Sequence, residues 1–202
     1  MISNVAAHGA LCMAWRKPLS HLGTNMFVLA GTSGTGKTML LEELKSRGFL
    51  THSEVTRAVL QDQVAQNGDA LPSKNPSLFV AEMLRISIQN YEASMAHRGP
   101  VFFDRGVPDL VAYAQRFNVD TSPYIEAAEQ YRYNQVCFLL PPWREIYTKD
   151  EWRGGEYEFY EKFHHSLTHA YQSLGYSLVE VPRFGVTERA DFVMEIVQGN
   201  NA

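Results

Sequence analysis

The sequence predicts an α/β fold in which one five-stranded parallel sheet is covered by helices on both faces. Two observations lead to this fold class. Five short apolar segments alternate along the chain with longer segments whose apolar residues recur every three or four positions. The 202 residues are 45% apolar and 12% aromatic, which suits one globular domain with a buried core and argues against a disordered chain.

The first half of the chain contains three of the predicted strands. The run MFVLA at 26–30 is apolar throughout and precedes a glycine-rich turn, which is typical of a strand buried on both faces. Residues 37–47 follow with apolar positions at helical spacing, and Gly48 ends that helix. The later elements are a strand at 49–52, a helix at 54–66, a polar loop at 67–76, a long helix at 77–98 and a strand at 101–103.

The second half contains the other two strands and four helices. Helices are predicted at 108–117 and 122–133, and the run VCFLL at 136–140 forms a strand that Pro141 ends. A charged loop follows, and then come an amphipathic helix at 157–174, a strand at 176–181 and a helix at 187–198. Because helices separate the strands, we expect the strands to run parallel and to be joined by right-handed crossovers.

The charge and the cysteine content limit the kinds of partner and the cellular compartment that we expect for this protein. The 18 basic and 22 acidic residues give a net charge of -4, and no block of basic residues is present to bind a phosphate backbone, so nucleic acid is not an expected partner. Two cysteines, Cys12 and Cys137, cannot form the disulfide framework of a secreted protein. We therefore expect a reducing compartment and a cytoplasmic location.

Residues 1–25 are predicted to be an irregular N-terminal extension of one working domain at 26–202. The apolar stretch at 5–15 is too short to cross a bilayer, and Arg16 and Lys17 follow it, so no membrane span is expected. The first acidic residue is Glu42. An acid-poor start also fits an organellar transit peptide, which stays open as an alternative.

The most specific motif is a phosphate-binding loop between the first strand and the first helix. The segment GTSGTGKT matches the pattern G-x-x-x-x-G-K-[ST]. Its glycines allow successive N–H groups to point into one concavity, toward which the following helix directs its positive end. The motif predicts binding of a nucleoside triphosphate, taken as ATP, by Gly31, Thr32, Ser33, Gly34, Thr35, Gly36, Lys37 and Thr38.

Two members of this loop have chemical roles beyond holding phosphate. Lys37 is expected to bring a full positive charge to the β- and γ-phosphates, where it would act in catalysis as well as in binding. The Thr38 hydroxyl is expected to bind Mg²⁺.

Other classes of triphosphate-binding protein fit less well. A guanine-specific switch protein needs D-x-x-G, whereas Asp104, Arg105 and Gly106 place the glycine one position too early. A remodelling motor of the AAA+ type needs Asp-Glu after an apolar strand and a helical lid domain for which this chain lacks the length.

Charged residues at the ends of the second and third strands suggest phosphoryl transfer to an acceptor. In open parallel sheets ligands bind beyond the carboxyl ends of the strands, where Glu54 and Asp104 stand. Asp104 is the candidate for Mg²⁺ binding, and Arg105 is expected to face the substrate or the γ-phosphate. Glu54 is the candidate general base, with Arg57 one helical turn away on the substrate side. The alternatives are a helix-starting role for Glu54 and a turn-forming role for Asp104.

A small lid is predicted at about 142–158. It contains Arg144, Arg153 and the pair Gly154-Gly155, which supply cations and a hinge for closure over bound phosphates; an ordinary solvated loop is the alternative. Arg189, on the last helix, is assigned to the nucleotide, and residues 182–186 are placed to pack on its base.

Three histidines lie on the helix at 157–174, and their pattern favours ordinary surface residues of a helix over a metal site. His165 and His169 lie one turn apart, but neither the glutamate of an H-E-x-x-H pattern nor an evident third ligand accompanies them. We therefore place them, with His164, on a solvent-facing side of the helix.

Across residues 26–198 these motifs resemble a family of P-loop ATPases and kinases. The family groups with bacterial ribosylnicotinamide kinase and with the ATPase domain of the translocation defect protein of fly photoreceptors. The segments that carry the resemblance are GTSGTGKT, EVTR at 54–57, VFFDRGVPD at 101–109, LLPPWREIYTKD at 139–150, LGYSLVEVP at 174–182 and ER at 188–189.

The resemblance implies a three-layer, nucleoside-kinase-like P-loop fold with strand order 2-3-1-4-5, ATP and Mg²⁺ as cofactors, and kinase chemistry. Asp109, the last residue of the VFFDRGVPD segment, is assigned to substrate binding. The family's lid has an Asp followed by Glu-Arg, whereas here Trp152 stands between Glu151 and Arg153, so Arg144 and Arg153 both stay candidates for the lid arginine.

Two functional hypotheses follow from the sequence. In the first, the protein transfers the γ-phosphate of ATP to a hydroxyl of a small nucleoside-like metabolite. In the second, it is a nucleotide-dependent regulatory or binding ATPase without such kinase activity. The resemblance leaves open the identity of the acceptor and whether the chain forms a homo-oligomer.

Overall fold

The computed structural model describes residues 25–147 and 157–199. Of the predicted N-terminal extension only Asn25 is described, and its side-chain amide donates hydrogen bonds to the carbonyl oxygens of His97 (2.8 Å) and Gly99 (2.7 Å). The middle of the predicted lid, residues 148–156, lies outside the described residues.

A five-stranded parallel sheet forms the middle layer, as predicted. Its strands are β1 (Met26–Ala30), β2 (Leu50–His52), β3 (Val101–Asp104), β4 (Val136–Leu139) and β5 (Ser177–Glu180). They lie in the order β2-β3-β1-β4-β5, and every pairing is parallel. The predicted strand order is thus confirmed.

Seven α-helices and one short 3₁₀ helix connect and flank the strands within the described residues. The α-helices are α1 (Lys37–Ser46), α2 (Val55–Ala65), α3 (Pro76–Ser94), α4 (Asp109–Arg116), α5 (Ser122–Gln130), α6 (Tyr157–Ser173) and α7 (Val186–Gly199). The 3₁₀ helix at Arg144–Ile146, at the start of the predicted lid, was not expected from the sequence. α3 ends four residues before the predicted position, and the hydroxyl of its last residue, Ser94, donates to the Asn90 carbonyl oxygen (2.9 Å).

Successive side chains of the central strands point to opposite faces of the sheet, so the core has one part on each face. Phe27 and Leu29 of β1 pack on one face with apolar residues of α1 and α7. Met26 and Val28 point to the other face, where they join aromatic residues of the helical layer such as Tyr91 and Tyr171. Since both faces of β1 are fully buried, this strand fixes the loop that follows it.

Within residues 25–147 and 157–199, none of the helices combines the length and the apolar character that a membrane span requires.

Candidate active site

The phosphate-binding loop connects β1 to α1 and takes backbone conformations that side chains would oppose. Gly31 has φ +142°, and a Cβ atom there would lie 2.5 Å from the carbonyl oxygen of Leu140. Gly34 has φ +82°, and a Cβ there would meet the ring of Tyr147 at 2.7 Å. Gly36, at φ +81°, precedes α1, and no side chain caps the helix. The free N–H groups of the first helical turn can therefore accept an anion.

Lys37 is folded back onto the loop from the start of α1. Its ammonium group donates to the Thr32 carbonyl oxygen at 2.7 Å and lies 3.9 Å from Oδ1 of Asp104. Burial, followed by repulsion from Arg105, lowers the pKa of Lys37 to about 8, although Asp104 opposes this change. Because Lys37 has little contact with solvent, a bound phosphate would strongly stabilise its charged form.

Asp104 ends β3 and lies beside the loop. Its side chain is 2% exposed, and among the described residues Oδ1 has no hydrogen-bond donor. Burial raises its pKa to about 6, against the opposing effect of Lys37. A buried carboxylate oxygen without a donor is a suitable ligand for a hard cation, and the exposed Thr38 hydroxyl lies on the first turn of α1. The residues present thus fit a Mg²⁺ site.

Glu54 and Arg105 form an ion pair between the second and third strands. Arg105 Nε donates to Glu54 Oε1 at 3.0 Å, and Arg105 Nη1 donates to the Gly31 carbonyl oxygen at 2.7 Å. Among the described residues Oε2 of Glu54 accepts no hydrogen bond. Burial alone would raise the pKa of Glu54, but Arg105 and Lys37 hold it below its ordinary value. The carboxylate is therefore ionised at neutral pH, and one oxygen can accept a proton.

Arg57 and Asp109, the two other residues predicted on the substrate side, differ in their surroundings. The positive charge of Arg57, one turn along α2, favours the ionised form of Glu54 and so lowers its pKa. Asp109 is fully buried at the start of α4: Oδ2 accepts from the Gly106 N–H (2.9 Å) and from the Tyr171 hydroxyl, and Oδ1 lies 3.4 Å from Arg105 Nη1. Its side chain is directed toward Arg105 and away from solvent.

A cleft of about 360 Å³ opens beside the loop. It brings together several predicted site residues with apolar side chains from two predicted segments: Trp143 and Ile146 from the lid, and Phe184 from residues 182–186. The predicted residues that line it are Ser33, Gly34, Gly36, Lys37, Thr38, Glu54 and Arg189. The cleft therefore places the phosphate loop and the candidate base on one cavity.

Arg189 reaches the phosphate loop from α7. It is 4% exposed, its Nη1 lies 3.5 Å from the carbonyl oxygens of Thr35 and Gly36, and its guanidinium carbon lies 5.6 Å from the ring centre of Trp143. Burial lowers its pKa. Residues 182–186, predicted to pack on a base, contribute Phe184 and Gly185 to the cleft.

The lid region is described only at its two ends. Arg144 is exposed, donates to Glu158 Oε1 at 2.7 Å and stacks over the Tyr157 ring at 4.4 Å. Arg153 lies outside the described residues. Tyr147, to which the sequence motifs assigned no role of its own, packs on Gly34 and contacts the rings of Tyr157 and Tyr160.

The three histidines of α6 lie apart from this site. His165 and His169 are exposed, and His164 is partly buried with its pKa lowered to about 4, chiefly by burial. Within the described ranges no group of three or more His, Cys, Asp or Glu side chains has an arrangement that could hold a metal ion.

Comparison with known proteins gives one family and several similar structures. A family model described as an AAA domain matches residues 26–189. Among curated proteins, none matches this chain. The solved structure of NadR protein in complex with NR superposes with a TM-score of 0.65 at 19% identity, over 88% of this chain and 50% of that one, so this chain spans half the length of NadR.

Thymidylate kinases share the same fold. The enzyme of Candida albicans gives a TM-score of 0.57 at 13% identity, over 89% of this chain and 93% of that chain. The enzyme of Ehrlichia chaffeensis gives 0.53 at 12% identity, over 87% and 99%. At these identities the likeness concerns the fold, which is that of P-loop nucleotide kinases.

Proposed function

The chain belongs to the AAA domain family, and from this membership and the site geometry we propose that it binds ATP with Mg²⁺ and transfers the γ-phosphate to a hydroxyl group of a small nucleoside-like acceptor. One observation carries the proposal. The ionised Glu54, with one carboxylate oxygen free among the described residues, lines the same cleft as Lys37 and the phosphate loop.

The phosphate loop and Lys37 would hold the triphosphate. The N–H groups around Gly34 and Gly36 and the uncapped start of α1 supply donors, and Lys37 supplies the charge that offsets the β- and γ-phosphates. Arg189 would bind on the nucleotide side of the cleft, beside Trp143. These groups bind and orient the donor and do not change their covalent state.

Asp104 and Thr38 would hold Mg²⁺. Bound there, the ion would supply positive charge to offset the negative charge of the transferring phosphoryl group. Asp104 suits this role because its buried Oδ1 has no hydrogen-bond donor among the described residues.

Glu54 would accept the proton of the acceptor hydroxyl. As the new phosphorus–oxygen bond forms, the hydroxyl loses its proton to the Glu54 carboxylate, and the bond from the γ-phosphorus to the ADP leaving oxygen breaks. Arg105 orients the carboxylate through its hydrogen bond to Oε1, which leaves Oε2 for the acceptor. Arg57, whose charge lowers the pKa of Glu54, would bind the acceptor next to this carboxylate.

The experiment is a product assay with the full chain. The protein is incubated with Mg-ATP and, separately, with ribosylnicotinamide, thymidine, the other common nucleosides and thymidine monophosphate, and each mixture is analysed by mass spectrometry. Phosphorylation of one acceptor, absent in a Lys37→Ala variant, supports the proposal. ADP release that no acceptor changes, without a phosphorylated product, contradicts it and favours a regulatory ATPase.

A further inference from the structure

Arg105 adopts a conformation that needs support from its surroundings. It is a non-glycine residue with φ +72°, a region in which side chains crowd the backbone. Its N–H donates to the Leu29 carbonyl oxygen at 3.2 Å, which continues the pairing of β3 with β1 for one more residue. This conformation directs the side chain back across the ends of the strands.

The guanidinium of Arg105 joins three separate parts of the site. It contacts Glu54 at the start of α2, the first glycine of the phosphate loop, and Asp109 at the start of α4. The side chain is only 5% exposed, and Nη2 has no hydrogen-bond partner among the described residues. A long, flexible side chain loses much rotamer freedom when it is fixed in a buried site. The orientation of the Arg105 guanidinium therefore depends on the groups that contact it.

Asp109 contacts Arg105 directly, and Tyr171 contacts Asp109 in turn. Asp109 divides its oxygens between Arg105, through Oδ1, and two donors, the Gly106 N–H and the Tyr171 hydroxyl, through Oδ2. Tyr171 lies on α6, is fully buried and is 62 residues away in sequence. Burial raises the pKa of Tyr171 far above its ordinary value, so its hydroxyl stays protonated and donates to the carboxylate.

We propose that Asp109 and Tyr171 are positioning residues, which fix the guanidinium of Arg105 and, through it, orient the carboxylate of Glu54 against the phosphate loop. The inference rests on the proposed function only for the role of Glu54. Arg105 itself bridges Glu54 and Gly31, so a shift of its guanidinium changes both sides of the cleft together. Displacements of about 1 Å in such a support cost about 100-fold in rate in other enzymes.

A structural measurement tests the proposal without any substrate. The Nε–H of a restrained arginine gives a slowly exchanging signal in ¹⁵N NMR spectra, and the signal of Arg105 is assigned by its loss in Arg105→Lys. We expect Tyr171→Phe and Asp109→Asn to speed the solvent exchange of this signal at least tenfold. Equal exchange in wild type and in both variants would overturn the proposal.

Tyr133→Phe is the matched control. Tyr133 is another buried tyrosine of the same core, but its hydroxyl accepts a hydrogen bond from the Val107 N–H (3.4 Å). Solvent exchange of the Arg105 signal that speeds up as much in Tyr133→Phe as in Tyr171→Phe would indicate general loosening of the core and would also overturn the proposal.

Kinetics separate positioning from binding. With water as acceptor in an ATP hydrolysis assay, or with any acceptor that the product assay identifies, we expect Tyr171→Phe to lower kcat about tenfold and to leave the KM for ATP within twofold. A rise in KM with unchanged kcat would contradict a positioning role. Failure of the proposed kinase activity would show only in the product assay, whereas failure of this inference shows in the NMR signal.

Discussion

The two sides of the cleft are built in different ways. On the proposed nucleotide side, a contiguous segment of eight residues presents backbone N–H groups and one lysine, and glycines make this conformation accessible. On the proposed acceptor side, charged side chains from three elements hold one another, and the contacts of Arg105 span 51 residues to Glu54 and 74 to Gly31. The comparison teaches that the first side is specified locally and the second only by the fold.

The largest expected effect on ATP affinity comes from a substitution in the locally specified side. In Gly31→Ala the new Cβ would lie 2.5 Å from the Leu140 carbonyl oxygen at φ +142°, which costs about 1 to 3 kcal/mol of strain. Because moving the loop relieves this strain, we expect ATP affinity to fall about tenfold to hundredfold by calorimetry. Gly48→Ala is the control, since Gly48 also has a positive φ (+92°) but no atom of the described residues lies within 4 Å of the added methyl group. Equal ATP affinity in the two variants would contradict the expectation.

Asp104→Asn tests the metal ligand at the border of the two sides. The amide keeps the shape of the side chain but removes its charge, so we expect the Mg²⁺ concentration for half-maximal activity to rise about tenfold or more. The affinity for metal-free ATP should rise slightly, because a negative charge near the phosphates is gone. An unchanged Mg²⁺ requirement would remove Asp104 from the metal site.

A pH dependence distinguishes the lysine from the backbone donors. Lys37 would bind phosphate in its charged form, and with a pKa of about 8 that form declines as the pH rises through this value. We expect the affinity for ATP, measured without metal, to be about tenfold weaker at pH 9 than at pH 7. Lys37→Ala should bind weakly with no such slope. The same slope in the variant would assign the titration to another group.

The smallest effect is expected at the exposed entrance of the lid. Arg144 and Glu158 are 66% and 63% exposed, and pairs of this kind contribute little to stability. We expect Arg144→Ala to leave the midpoint of urea unfolding unchanged, like Arg85→Ala, which removes a partly exposed surface pair with Glu82. A lower midpoint in Arg144→Ala alone would show that the lid entrance supports the fold.

Most of the fold was predictable from the sequence because its signals are local. Apolar runs such as 26–30 and 136–140 differ clearly in periodicity from the helices between them. The phosphate loop was predictable for the same reason, since its glycines and Lys37 stand in one motif. The boundary errors amount to a few residues at the ends of helices and strands: α3 ends at Ser94 and not at 98, and β4 ends at Leu139 and not at 140.

The contacts of Asp109 and Tyr171 that hold Arg105 were not predictable in the same way. Glu54 and Asp104 could be proposed because each ends a strand, but nothing near Asp109 indicates that its carboxylate faces Arg105 and Tyr171. Tyr171 has the spacing of an ordinary core residue of α6, and only tertiary contact brings its hydroxyl to Asp109. Likewise, the packing of Tyr147 on Gly34 joins residues 113 positions apart.

The most direct measurement compares ATP binding and phosphoryl transfer in Glu54→Gln. If the two sides have separate tasks, the variant binds ATP with wild-type affinity in calorimetry, while transfer to the acceptor found in the product assay falls about 100-fold or more. Transfer at the wild-type rate, or a loss of ATP affinity as large as the loss of rate, would contradict the account.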